Sequence, residues 1–291
     1  MKSTLRILLL ASFLVPHYVR ATDDESRLVQ LQNLTSIQEV LDFCRTSDPV
    51  PRRALVGIAS SMVIVPAVVN LSGLQGAFFR TKTTIFAMSN TAGYNPSALV
   101  SADFYGSDGT HRHATMQLGP SETRTFANFL QDVFGIQGAG GLVLSTNDPN
   151  RLIVSNEIYN DSPAGRFSTV TAVYTSLDYS LGPGYNDMDI TTGVTVNSTT
   201  RANIACVNNW IVPTQVITML FDAPSPGTKI KQWTFNLPAY GWAQIAVDVS
   251  VSGGTIIWAP DNKGFPYCYA VNVDNTSNDG TYLDRTTLVL H

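Results

Sequence analysis

Much of this chain reads twice. TTIFAMSN (Thr83–Asn90), the strand-like ALVSADFY (Ala98–Tyr105), a turn at Asp108-Gly109-Thr110 and LGPSETRTF (Leu118–Phe126) follow one another in the first half. ANIACVNN (Ala202–Asn209), QVITMLFD (Gln215–Asp222), a turn at Gly227-Thr228 and LPAYGWAQI (Leu237–Ile245) follow in the same order in the second. The match runs on through GGLVLSTNDPNRLIVSNEIYN (Gly140–Asn160) and GGTIIWAPDNKGFPYCYAVNVDN (Gly253–Asn275), each a strand, a turn rich in Asn, Asp and Pro, and another strand. Spacing between the copies drifts by only a few residues, which implies a duplicated unit with altered loops.

Within each unit the strands alternate. Ala98, Val100, Ala102 and Phe104 point to one face, and Leu99, Ser101, Asp103 and Tyr105 to the other, so one face packs and the other is mostly wet. Charged residues make up only 14% of the chain, too few for long amphipathic helices, while Ser, Thr, Asn, Gly and Val favour strands and turns. Short strands with turns roughly every 8 to 12 residues predict an all-β fold of two tandem antiparallel β-sandwich modules of immunoglobulin-like size. A closed barrel is the structural alternative. Gly, Pro and Asn concentrate around Gly182–Ile190, which places the modules at 55–185 and 186–291.

Residues 1–21 have the form of a secretory leader: Lys2 and Arg6, an apolar run from Ile7 to Val15, and a small residue at Ala21. That run is shorter than the roughly 20 residues a bilayer span needs, so the expectation is a secreted chain with no transmembrane segment after cleavage, extracellular or in the cell envelope. Residues 22–54 form an acidic preface with one helical candidate, Ser36–Arg45, where Ser36 and Glu39 have capping-box spacing and Ile37, Val40, Leu41 and Cys44 share a face.

Three cysteines, Cys44, Cys206 and Cys268, remain after the leader. Cys206 and Cys268 both fall in core strands of the second module, where a disulfide and a pair of small buried thiols fit equally well. Five Asn-x-Ser/Thr triplets, at Asn33, Asn70, Asn160, Asn197 and Asn275, are candidate glycosylation sites on surface loops, although a chain rich in these residues also produces such triplets by chance.

The run VPAVVNLSGLQGAFFRT (Val65–Thr81), Arg201-Ala202-Asn203 and the closing YAVNVDNTSNDGTYL (Tyr269–Leu283) resemble a group of secreted bacterial proteins whose modules open a strand with Arg-Thr-Asp or Arg-Thr-Asn. Lys82 follows Arg80-Thr81 where that group usually has an acidic residue, and Ala202 replaces its threonine. The resemblance implies a tandem β-sandwich outside the cytoplasm and carries no activity to transfer. By the same reading, these motifs are core and turn features.

No reaction signature stands out. The chain has no Gly-x-Ser-x-Gly elbow, no phosphate-binding loop and no dinucleotide fingerprint. A net charge of −4 without a Lys/Arg cluster argues against nucleic acid as a partner. His111 and His113 share one strand face, a geometry that can chelate, but no third ligand lies nearby in sequence. Asp187 and Asp189, beside Asn186 in a Gly-rich segment, are the candidate oxygen ligands for calcium, as are Asp274, Asn278 and Asp279; ordinary turn chemistry accounts for both groups, and no other cofactor is expected. Trp233, Trp242 and Trp258 are the candidate binding residues, able to stack on sugars if exposed and equally suited to a sandwich core.

The expectation is therefore a non-catalytic binding or adhesion protein for an extracellular glycan or protein surface. Two alternatives are a polysaccharide hydrolase using the loop carboxylates and a structural spacer of the envelope.

Overall fold

The computed structural model describes residues 29–46 and 62–289, apart from position 31 and the short stretches 74–75, 90–96, 148–149, 163–164, 176–186, 224–226, 262 and 265. The leader, the start of the preface and most of the segment around Gly182 lie outside the described residues. Strands dominate, all pairing antiparallel, and no described helix is long and apolar enough to cross a membrane.

The first half contains β1 (Met62–Ser72), β2 (Phe78–Ser89), β3 (Ala98–Gly106), β4 (His111–Leu118), β5 (Thr123–Phe126), β6 (Gly138–Thr146), β7 (Asn150–Ser162), β8 (Gly165–Thr171) and β9 (Tyr174–Thr175). They form one continuous sheet in the order β4-β3-β6-β1-β2-β7-β8, with β5 on β2 and β9 on β1. The sheet folds over itself through β1. Pro66 has no N–H to donate, and the β1–β6 register shifts between Val65 and Val68; beyond it, Asn70–Ser72 also pair with β2. Val65, Val100, Phe104 and Leu142 from one arm then meet Ile85 and Ala87 from the other. The predicted alternation of β3 is present, with Ala98, Val100, Ala102 and Phe104 all buried. A π-helical turn, Leu130–Phe134, closes this core with Phe129, and Gly135 ends it at φ 67, a conformation that suits glycine.

The second half contains β10 (Asp187–Val196), β11 (Thr200–Asn208), β12 (Thr214–Phe221), β13 (Lys229–Leu237), β14 (Trp242–Ala246), β15 (Val251–Pro260), β16 (Pro266–Asp274), β17 (Gly280–Leu283) and β18 (Thr286–Val289). Here there are two sheets, β13-β12-β15-β10-β18 and β14-β11-β16-β17. Leu220, Phe235, Ile256 and Trp258 of the first pack on Ile204, Cys206, Cys268 and Ala270 of the second, each large apolar side chain contributing about 1.5–3 kcal/mol by burial. Cys206 and Cys268 face each other in the β11–β16 register and are joined by a disulfide.

A helix, α1 (Ile37–Thr46), is capped as its sequence predicts: Glu39 N–H donates to Ser36 Oγ at 3.2 Å and Ser36 N–H to Glu39 Oε2 at 3.3 Å. Val40 lies at 0% exposure against Ile217, Met219, Phe221 and Ile257, so α1 covers the outer face of the five-stranded sheet.

Candidate functional site

Strand alternation sets the chemistry of the four-stranded sheet. On β11, Ala202, Ile204 and Cys206 enter the core, which turns Arg201, Asn203, Ala205 and Val207 outward. Register sets Trp242 and Tyr267 beside Val207, Gln244 and Tyr269 beside Ala205, and Ala246 and Val271 beside Asn203. This outer face is not wet. It packs against the first half, where Ile64, Ala67, Val143 and Tyr174 meet Val207, Trp242, Tyr267 and Tyr269.

Aromatic contacts close one end of the seam. Tyr174 stacks on Tyr267 at 4.5 Å and Tyr269 on Tyr282 at 5.0 Å. Trp242 Nε1 donates to Tyr269 Oη at 3.3 Å, Tyr174 Oη donates to Asp284 Oδ1, and Tyr282 N–H donates to Thr169 Oγ1 at 3.3 Å. Burial holds the hydroxyls of Tyr174, Tyr269 and Tyr282 well above the ordinary phenol range, because a phenolate there would lose its water; the charge of Asp284 reinforces this for Tyr174.

Beside these rings the two surfaces separate around a cavity of ≈ 380 Å³. The second half contributes Arg201, Asn203, Trp242, Gln244, Tyr269, Asn278 and Tyr282; the first contributes Val68, Leu71 and Phe79 with Ile158, Asn160, Phe167 and Thr169 from β7 and β8. No described carboxylate lines it. Arg201 donates from Nη1 to Asn275 Oδ1 at 3.1 Å and from Nη2 to Asn278 Oδ1 at 2.8 Å. Asn278 adopts a left-handed conformation, φ 58, which asparagine tolerates. Its turn is fixed by Asp274 Oδ1, which accepts from the N–H groups of Thr276 and Ser277 and from Ser277 Oγ. Those bonds, Ser277 N–H foremost, hold the Asp274 carboxyl below the usual carboxylate range. Rings flanked by amides and a guanidinium suit an amphipathic ligand with one apolar face and several hydroxyl or charged groups.

Of the three tryptophans singled out from the sequence, Trp242 reaches the cavity wall. Trp258 is 1% exposed in the core, with Nε1 donating to Thr191 Oγ1 at 3.0 Å. Trp233 packs half-buried against that core on β13, under Lys231 Nζ, away from the cavity lining. Asp187 and Asp189 are the candidate calcium ligands of the sequence. Both lie in strand β10 and not in a loop, and Asp189, fully buried, receives Arg285 Nη1 at 2.5 Å, so a guanidinium already supplies the cation. Asp274 serves its turn, and among the described residues no group of three His, Cys, Asp or Glu is arranged to hold a metal ion. His111 Nε2 and His113 Nδ1 both contact Asp103 Oδ1, at 3.1 and 2.9 Å.

Two of the sequon asparagines are buried. Asn70 and Asn160 are each 2% exposed, Asn70 donating to Ile136 O and Asn160 accepting from Phe78 N–H. Asn33 and Asn197 are exposed, and Asn275 is half-buried. The cavity residues that sequence reasoning misses include Arg201, Asn203, Gln244, Phe79, Phe167 and Tyr282. For Arg201 and Asn203 the signal is the strand alternation that follows the Arg201-Ala202-Asn203 opener.

No family model matches the chain, and no curated protein matches it. Among solved structures, a lectin from Pleurotus ostreatus in complex with GalNAc aligns at 13% identity over 81% of this chain and 86% of that one, with a TM-score of 0.13. A likeness that slight carries no inference about fold or ligand.

Proposed function

We propose that this chain is a secreted, non-catalytic binding protein that holds an extracellular glycan in the groove between two tandem sandwich modules of immunoglobulin-like size. The single observation that carries the reading is the composition of that groove: Phe79, Phe167, Tyr282 and Trp242 beside Asn203, Gln244 and Arg201, with no described carboxylate in the lining. Sugar rings present an apolar face to aromatics and hydroxyls to amides, which is the pairing this surface offers. Hydrolysis needs two carboxylates flanking one bond, and Asp189 and Asp274 are committed elsewhere.

The tandem reading, and with it the resemblance to duplicated secreted modules, is supported by the pairing orders. β4-β3-β6-β1 with β9 corresponds strand for strand to β13-β12-β15-β10 with β18, and β5-β2-β7-β8 to β14-β11-β16-β17.

The test is a glycan array and a polysaccharide pulldown, with product release assayed in parallel and with Asn203→Ala and Gln244→Ala as groove variants. Binding without turnover, weakened by both variants, is expected. Turnover would return the hydrolase reading, and silence in every arm would remove the glycan.

A further inference from the structure

The groove has one charged group in its described lining, and its environment is unusual. Arg201 is partly buried, its described hydrogen-bond partners are the neutral amide oxygens of Asn275 and Asn278, and no described carboxylate stands within ion-pair distance. Burial lowers its affinity for the proton, and the charge of Asp274 works the other way without cancelling this. A partly desolvated guanidinium with no direct counter-ion is costly to a fold. The two amides use two of its five N–H donors and hold the planar fork in place, which leaves donors for a bidentate acceptor. The left-handed Asn278 and the Asp274 turn fix those amides in turn.

From this we infer that the groove is selective for an acidic glycan: a carboxylate-bearing sugar seats its carboxylate on Arg201, while its ring lies along Tyr282 and Phe167. The inference rests on the groove being a glycan site and adds the charge of the ligand. Sialic and uronic acids both present this carboxylate, so the experiment carries both.

Titration calorimetry on the purified full chain would compare sialylated with unsialylated oligosaccharides, and glucuronate-terminated with glucose-terminated ones. Wild type is expected to prefer the acidic member of one pair by roughly tenfold or more, as a charge-assisted bidentate contact provides. Arg201→Gln should equalise the pair while weak neutral binding persists, and Arg201→Lys should keep part of the preference. If Arg201→Gln does not fold, the wild-type preference and Arg201→Lys decide the matter. Equal binding of acidic and neutral members by wild type, or a preference that survives Arg201→Gln, would overturn the acidic assignment and leave the glycan groove standing. Failure to bind any member would remove the glycan reading and this inference with it.

Discussion

Gly141 of the first half lies against Val207 of the second so closely that a Cβ on the glycine would stand 2.8 Å from Val207 Cγ2. The two halves meet here with no room for a methyl group. Gly141→Ala should destabilise the chain by about 1–3 kcal/mol through overpacking. Adding Val207→Ala should recover part of that loss, so the double-mutant cycle by chemical denaturation should show coupling and not additivity. Additive losses would mean that the seam opens freely.

Trp258 separates the core reading of the tryptophans from the ligand reading. Trp258→Phe removes the Nε1 bond to Thr191 Oγ1 and should cost about 1–3 kcal/mol in stability without changing affinity for any ligand of the groove. Thermal melts and titration of the same variant check both halves of this statement.

Asp189 and Arg285 make a buried ion pair, with side chains 0% and 8% exposed. Asp189→Asn leaves the guanidinium short of its counter-charge and should cost about 3–5 kcal/mol. Because the cation is an arginine, chelation with EDTA should leave the melting temperature unchanged; a drop would revive a metal at this strand.

The Cys206–Cys268 bond closes a segment with a sequence separation of 62, and its removal should cost about 4 kcal/mol on chain-entropy grounds. Denaturant midpoints with and without reductant, and for a Cys206→Ala/Cys268→Ala chain, give the comparison.

Alkaline pH should act through the seam. Burial, then the charges of Asp103 and Tyr240, push the Tyr105 hydroxyl up to about 12 from 10.0, and burial raises Tyr174, Tyr269 and Tyr282 as well. Above pH 10 the unfolded chain loses these protons while the folded chain keeps them, so stability is full below that pH and falls as pH rises toward 12. Tyrosinate absorbance of this group should therefore appear together with loss of tertiary circular dichroism. Ionisation at the ordinary phenol range before unfolding would place the rings in water.

How far the sequence could be read depended on how local each signal was. The alternation of Ala98, Val100, Ala102 and Phe104 fixes which side of β3 is buried, because side chains on a strand must alternate. The capping box of α1 was legible for the same reason: Ser36 and Glu39 satisfy each other's backbone within one turn. The expectation of a wet second face failed on β11, where Ala205 and Val207 are as buried as Ile204 and Cys206. The ion pair of Asp189 was not legible, because its partner, Arg285, comes from a part of the chain that only β10–β18 pairing brings near.

Local patterning specifies the succession of strands and turns, the capped helix and the inward faces of the strands, all consequences of backbone geometry acting over a few residues. Tertiary structure alone decided that the outward face of β14-β11-β16-β17 would be covered by the first half, that Trp258 would be core and Trp242 would reach a cavity wall, and that Arg201 would line that cavity beside two amides. Periodicity says which side chains share a face; what covers that face depends on how two separately patterned surfaces dock, and docking is set by shape and burial across residues distant in the chain.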